Sequence, residues 1–326
     1  MASPKRFIYS GLEVIPDNTQ ILEVKGKVSL LPPLPPGLEE LDCSNNLLTS
    51  LPLLPPGLEE LDCRSNLLTS LPPLPESLHT LNCGNNSLKV LPDLPLNLEY
   101  LDCSNNLLTT LPPLHARIYL LYCHDNPLMV LPDLPGNLIY LWSSDNLLTN
   151  LPPLPPGLEE LWCDNNQLTS LPPLPSSLKD LQCEDNLLTT LPFLPETLVE
   201  LWCDNNHLIC LPGMASAPLY LPPKLRLIHC SNNPNLFSLP FLPFSLKELI
   251  YEGTYLPDFY SMTRYSLMHM IAVKAIRKEQ WYLIRSARLI QRAWKKYWYE
   301  PNGEGVSRYG QAVMQKYHVY LNPPID

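Results

Sequence analysis

The sequence predicts a solenoid of stacked, nearly identical coils that share one parallel β-sheet. Three observations predict this fold. From Leu38 to about residue 210 the sequence repeats every 20 residues without a slip. In each unit apolar and polar residues alternate at period two, which predicts a short strand with one buried face. The rest of each unit is rich in proline, so the chain turns back in an extended form before the next strand begins.

Each unit follows the pattern LxxLxCxxNxLxxLPxLP, which has the spacing of a leucine-rich repeat. One such coil cannot bury its apolar edge alone, so successive coils must stack and their strands must pair in parallel. One unit, from Leu211 to Leu239, is longer than the others. We predict an N-terminal cap over residues 1–30, a leucine-rich-repeat array of about ten coils and one partial coil over 31–253, and a basic helical C-terminal tail or cap over 254–326.

Three recurring residue types have structural roles in this frame. An asparagine recurs every 20 residues from Asn46, where a buried amide can bond backbone groups of its own turn and of the next coil. A cysteine column starting at Cys43 points inward and lacks the C-x-x-C spacing of metal sites, so we predict buried free thiols, a reducing compartment and no metal. Gly37, Gly57 and Gly157 follow Pro-Pro and predict type II turns.

The Leu-Pro-rich 20-residue unit resembles the short leucine-rich repeats of secreted effectors from bacterial pathogens. That resemblance covers roughly residues 31–250 and implies a scaffold that binds proteins. Some of those effectors also carry a ubiquitin-ligase domain with a catalytic cysteine, but no cysteine follows Cys230 here, so we predict no enzyme and no catalytic residue. The segment Leu289–Trp298 is similar to the IQRAW-type C-terminal segment of giant DNA virus proteins, which implies a viral protein that acts on host proteins.

Charge is distributed unevenly along the chain. Residues 257–326 hold 11 Lys/Arg and 5 Asp/Glu, which leaves 11 and 27 for residues 1–256, so the array carries −16 and the tail +6. An acidic array repels phosphate backbones and favours basic or aromatic protein partners. No apolar run has the length of a signal peptide or a membrane span. We therefore predict a cytoplasmic monomer that binds protein and requires no cofactor.

The outward slots of the strands differ from coil to coil, which makes them the natural binding surface of a solenoid. Along the array these slots change from acidic to aromatic. Strands about 4.8 Å apart would place the rings on one concave strip with carboxylates around it. The predicted partner-binding residues are Tyr100, Tyr122, Tyr140, Trp142, Trp162, Trp202, Glu160, Asp164, Glu200 and Asp204.

Two interpretations of this aromatic strip remain open. Clustered Trp and Tyr side chains are typical of the residues that dominate binding at protein interfaces. Alternatively, the rings stack on one another across neighbouring strands and only stabilise the sheet. The carboxylates follow a solvated ladder with no pocket, so we predict neither general acid–base catalysis nor metal binding there.

The tail has its own pattern. Between Ser261 and Trp298 there is no Gly or Pro, and apolar residues recur at spacings of three and four, which predicts an amphipathic helix with a basic face. Such a helix could cover the last coil, or it could bind a partner such as calmodulin. The predicted partner-binding residues of the helix are Ile290, Gln291, Trp294 and Lys295.

Two functions follow from these observations. The first is a non-enzymatic protein-interaction scaffold that binds its partner on the concave aromatic and acidic surface. The second is an adaptor in which the array recognises a substrate and the helical tail recruits a ubiquitin ligase or a calmodulin-like partner.

Overall fold

The computed structural model describes residues 5–256, which form a single parallel sheet of 13 short strands. The strands follow one another across the sheet in chain order. They are β1 (Arg6–Tyr9), β2 (Ile21–Val24), β3 (Glu40–Asp42), β4 (Glu60–Asp62), β5 (Thr80–Asn82), β6 (Tyr100–Asp102), β7 (Leu120–Tyr122), β8 (Tyr140–Trp142), β9 (Glu160–Trp162), β10 (Asp180–Gln182), β11 (Glu200–Trp202), β12 (Leu227–His229) and β13 (Glu248–Ile250).

The register of the sheet confirms the 20-residue frame. From β3 to β11 each residue pairs with the residue 20 positions later, as Leu41 does with Leu61. In the longer unit Glu200 pairs with Leu227, and Leu227 then pairs with Glu248. The extra residues therefore lie in the loops on either side of β12, and the register of the sheet is preserved.

The two ends of the array differ in what the structure shows. The segment that we assign to the N-terminal cap, residues 1–30, contributes β1 and β2, which continue the same sheet. Most of the predicted tail or cap, including Ile290, Gln291, Trp294 and Lys295, lies outside the described residues. Within residues 5–256 no helix has the length and apolar character that crossing a membrane requires.

Columns of leucine and cysteine fill the interior of the array. The middle residue of each three-residue strand, β3 to β13, is buried, and in β3 to β12 the next inward position is a fully buried Cys, with Ser143 in its place once. Deep burial of small thiols beside leucines removes apolar surface from water in every coil, which is the main stabilising term of such a fold. All nine thiols of this column are free.

The predicted asparagine ladder is present. The Nδ2 atom of Asn66 donates to the carbonyl oxygens of Cys43 at 2.9 Å, Cys63 at 3.0 Å and Arg64 at 3.2 Å, and its Oδ1 atom accepts from the Leu48 N–H at 3.0 Å. Cys43 and Leu48 belong to the preceding coil. Our expectation that these amides bond the next coil is therefore wrong, because each side chain points back toward the preceding coil.

The turns show one feature that was not predicted from the sequence and one that contradicts the prediction. The residue before each ladder asparagine has a left-handed backbone, with φ of 49° to 57° from Asn45 to Asn232, and most of these residues are Asn or Asp. Asn and Asp tolerate this region better than other residues with a Cβ, which accounts for their repetition. The type II turns predicted at Gly37, Gly57 and Gly157 are absent, because none of these glycines has the positive φ that such a turn requires.

Candidate functional site

The outer face of the sheet carries the variable side chains of the array. In each strand from β3 to β13 the buried central residue is flanked by two residues that point to the opposite face, as in β9, where Glu160 and Trp162 flank Leu161. The alternation continues for two more residues, so Cys163 is buried and Asp164 is half-buried. Three rows of side chains therefore cross the outer face, and each row takes one residue from every coil.

Aromatic rings from four consecutive coils form one stack on this face. Tyr100 meets Tyr122 edge to face, with ring centroids 5.6 Å apart and planes at 89°. Tyr122 stacks on Trp142 at 4.3 Å and 28°, and Trp142 stacks on Trp162 at 4.0 Å and 2°. Each offset or edge-to-face pair contributes about 0.5–1.5 kcal/mol beyond its buried area. The rings therefore stabilise the sheet whether or not a partner binds them, and part of the structural interpretation is correct.

The stack is interrupted after Trp162. The next residue in that row is Gln182 on β10, followed by Trp202 on β11. Trp202 contacts the ring of His229 on its other side, with centroids 4.0 Å apart and planes at 53°. One group of rings thus lies on each side of the Gln182 side chain.

Carboxylates surround this interruption on both sides. Glu160, Asp180 and Glu200 pair in register along one outer row. Asp164, Glu184 and Asp204 occupy the equivalent positions of the other outer row, and their charges act on one another. We call nine outward-pointing residues the acidic–indole patch: the first and last residue of β9, β10 and β11 and the residue two positions after each strand. It comprises Glu160, Trp162, Asp164, Asp180, Gln182, Glu184, Glu200, Trp202 and Asp204.

Partial burial among like charges raises the pKa of the two central carboxyl groups. The pKa of Glu184 rises to about 7, mainly because the group is partly removed from water and secondarily because Asp164 and Asp204 are negative. The pKa of Asp180 rises to about 6 for the same main reason, with the charges of Glu200 and Glu160 adding to it. Each ionised carboxylate at the centre of the patch is therefore held in an unfavourable environment.

No salt bridge within residues 5–256 neutralises these charges, although Lys179 acts on Glu160 and His229 on Asp204 at longer range. The salt bridges within residues 5–256 include no carboxylate of the acidic–indole patch. The nearby Lys179 pairs with Glu159 at 2.7 Å, outside the patch. The Oε2 atom of Glu184 is buried and has no hydrogen-bond partner in this part of the chain. The patch therefore presents six acidic side chains to any ligand that approaches the sheet, and all six are mostly ionised at pH 8.

The structure brings most of the predicted binding residues together, but not as a single strip. Tyr100, Tyr122, Trp142 and Trp162 form the stack, whereas Trp202 lies beyond the interruption. Tyr140 pairs in register with Glu160 and stands in the outer row of carboxylates. The ten predicted residues omitted Asp180, Gln182 and Glu184. Their position in the 20-residue frame was a sufficient signal, because it places them directly between residues that were included.

The thiols of the cysteine column are unsuited to nucleophilic chemistry. Burial raises the pKa of every one of them, from Cys43 to Cys230, so the reactive thiolate is strongly disfavoured. Among residues 5–256 no group of three or more His, Cys, Asp or Glu side chains is arranged to hold a metal ion.

Comparison with known proteins agrees with this architecture. A family model for two-copy leucine-rich repeats matches residues 36–76, and a single leucine-rich-repeat model matches residues 97–116. The structure of the leucine-rich effector YopM from Yersinia pestis is 34% identical, with a TM-score of 0.58, and the match covers 74% of this chain and 80% of that one. The chain belongs to the leucine-rich-repeat family.

Two further solved structures support the assignment. YopM from Yersinia enterocolitica WA-314 is 37% identical with a TM-score of 0.66, and the match covers 77% of this chain. The chain spans 59% of the length of that protein. The functional domain of InlJ from Listeria monocytogenes, described as including a cysteine ladder, is 24% identical with a TM-score of 0.51 and shares the fold. The match covers 70% of this chain and 61% of that one. A search of curated protein sequences finds no match.

Proposed function

We propose that this leucine-rich-repeat protein is a non-enzymatic scaffold that binds a protein partner on a concave outer sheet face, with the acidic–indole patch and the adjoining aromatic stack as the contact surface. The observation that carries the proposal is the concentration of half-buried Trp and Tyr rings beside carboxylates that form no salt bridge within the described residues. Rings of this kind dominate the binding energy of protein interfaces when a partner excludes water from them.

The local geometry supports a concave face. The rings of Trp142 and Trp162 are 4.0 Å apart. Neighbouring strands in a sheet are about 4.8 Å apart, so side chains that converge above the sheet fit a surface that curves toward them. A concave surface encloses a convex or extended partner over several coils, which is how solenoids gain contact area.

The similarity to YopM favours a role in protein recognition, because YopM from Yersinia pestis is described as a leucine-rich effector protein. An origin in a virus that acts on host proteins, and a cytoplasmic monomeric state, belong to the same proposal and rest on the sequence alone. The adaptor function, in which residues 257–326 recruit a ubiquitin ligase or a calmodulin-like protein, is the second candidate. Its supporting observation is the charge of +6 on that segment.

Affinity capture from a eukaryotic cell lysate, with the full chain as bait, tests the first proposal. Replacing Trp162 and Trp202 with Ala should reduce the recovery of the captured protein at least about tenfold, because interface tryptophans often contribute 2 kcal/mol or more each. The control replaces Leu53 and Phe193 with Ala, since these side chains are exposed and lie outside the strands. Capture by this control should equal that of the wild type.

A melting curve of each variant separates binding from folding. The proposal expects both variants to remain folded at the capture temperature, with a modest loss for the Trp pair because Trp202 loses its contact with His229 and Trp162 its stack. Undiminished capture by the Trp variant would contradict the proposal and leave the rings with a purely structural role. Capture by residues 257–326 alone would instead support the adaptor function.

A further inference from the structure

We propose that the interruption of the aromatic row at Gln182 is a binding site for an arginine side chain from a basic segment of the protein partner. The proposal rests on the proposed function, because it assigns a chemical class to the partner of the same face. It adds a specific position and a specific residue type. The geometry on both sides of Gln182 and the charges around it point to this occupant.

The indoles on either side of the interruption can accept a planar group between them. Trp162 and Trp202 are the neighbours of Gln182 in the two adjacent strands, and each has its ring partner on the side away from Gln182. Two strand spacings separate them, which is roughly 8–10 Å. A planar group in contact with a ring on each side needs about 7–8 Å. The separation therefore fits one flat group. The half-buried Gln182 side chain, which hydrogen-bonds Asp180, has to stay on the Asp180 side for a guanidinium group to enter this space.

The charges around the interruption select a cation. Asp180 and Glu184 flank Gln182 in its own coil, and the four other carboxylates of the acidic–indole patch stand one coil away on either side. A positive group between the indoles would be attracted by the ring faces and by the carboxylates together. It would also offset the repulsion between neighbouring carboxylates, which adds to the rise that burial causes in the pKa values of Glu184 and Asp180. Phosphate groups and acidic peptides are repelled by the same arrangement.

Arginine fits this arrangement better than lysine does. Its guanidinium group is planar, stacks on aromatic faces and carries five N–H donors, which can reach carboxylates in two rows at once. The ammonium group of lysine is compact and strongly hydrated, so it gains less from a flat space between two indoles. The Oε2 atom of Glu184 has no hydrogen-bond partner among the described residues, and a rotation of this half-buried side chain would bring the atom within reach of such a donor.

Fluorescence anisotropy with two labelled octapeptides tests the site on the full chain. Both peptides alternate Ser with a basic residue, which is Arg in one and Lys in the other, so length and charge are matched. At pH 8, where Glu184 and Asp180 are mostly ionised, the Arg peptide should bind the wild-type protein about threefold to tenfold more tightly than the Lys peptide. Equal affinities for the two peptides would overturn the proposal.

Two variants locate the preference. Gln182→Trp fills the interruption with the residue that the same row already carries in β8, β9 and β11, so the fold has a precedent for it. It should bring the ratio of the two affinities close to one. Replacing Asp180 with Asn and Glu184 with Gln should weaken binding of the Arg peptide at least about fivefold. The matched control, Glu40→Gln with Glu60→Gln, removes two outward charges from β3 and β4 and should weaken it less than twofold.

The outcomes separate this inference from the proposed function. A preference for Arg that survives Gln182→Trp, or an equal loss in the two charge variants, would overturn the inference. If Trp162→Ala with Trp202→Ala still abolishes partner capture in that case, the proposed function stands without it. The inference is supported if the preference for Arg disappears in Gln182→Trp. If partner capture then proves independent of this face, only the proposed function is contradicted.

Discussion

Replacing Asn106 with Ala removes one rung of the asparagine ladder. The Nδ2 atom of Asn106 donates to the carbonyl oxygens of Cys83, Cys103 and Ser104, each at 3.1 Å, and its Oδ1 atom accepts from the Leu88 N–H at 2.9 Å. Asn106 is 6% exposed, so water does not readily replace these bonds. The magnitude of the loss depends on which of the four backbone groups keeps another partner.

Each of the three carbonyl oxygens keeps a second donor, whereas the Leu88 N–H has no other acceptor. The remaining donors to Cys83, Cys103 and Ser104 are Asn86 Nδ2 at 3.1 Å, Asn126 Nδ2 at 3.1 Å and the Asn85 N–H at 2.9 Å, respectively. The Leu88 N–H is left buried and unpaired, which costs about 1–3 kcal/mol. Adding the small net loss from the carbonyls, we expect Asn106→Ala to lower the free energy of unfolding by about 2–4 kcal/mol.

Urea unfolding of the full chain, followed by circular dichroism, measures this loss. The control is Asn97→Ala, because Asn97 is also an asparagine that bonds a neighbouring coil, but its Nδ2 atom donates to the Glu76 carbonyl oxygen at 2.9 Å in an exposed position. The control should change the free energy of unfolding by less than about 0.5 kcal/mol. Equal losses in the two variants would refute the reasoning, since burial of the orphaned N–H would then have no measurable cost.

Three further predictions concern the turns, the thiols and the acidic–indole patch. Ser65 holds the left-handed position that Asn or Asp fills in most coils, with φ of 53°, so Ser65→Asn should raise the free energy of unfolding by about 0.5–1 kcal/mol in urea, whereas Ser70→Asn should not. In a thiol-reagent titration of the native protein only Cys210, the one half-buried cysteine of the ten, should react, and Cys210→Ser should abolish that reaction; several fast-reacting thiols would contradict the burial of the column. The pKa of Glu184 is about 7 in the folded protein against an ordinary 4.5, so the folded state binds the extra proton and stability falls as pH rises through this window. Glu184→Gln should therefore melt above the wild type at pH 8 and match it near pH 4.5, and a constant difference would contradict this linkage.

The repeating slots made the fold predictable. A residue type that returns every 20 positions must meet the same environment in each coil, so the Leu, Cys and Asn columns and the parallel pairing follow from the frame itself. The predictions that failed depend on backbone direction, which residue spacing does not encode. The ladder amides turn toward the preceding coil, as Asn66 does toward Cys43, and Gly37 adopts a turn that does not need positive φ.

The candidate site was only partly predictable. Sequence spacing placed Trp142, Trp162 and Trp202 in one row, but it did not reveal that the first two stack while the third turns to His229. The choice of ring partner depends on rotamers and on the size of the residue between the rings. Gln182 has no aromatic ring to continue the stack, and its importance lies in that interruption.

The sequence by itself determined the period, the parallel sheet, the buried columns and the row to which each outward side chain belongs, because each of these follows from repetition. Only the tertiary structure decided which outward groups meet, which carboxylates lose water and which N–H groups depend on a single acceptor. Those properties arise between residues 20 or 40 positions apart, as in the effect of Asp164 and Asp204 on Glu184. They depend on distances and burial across coils, which a list of residues in one coil does not contain.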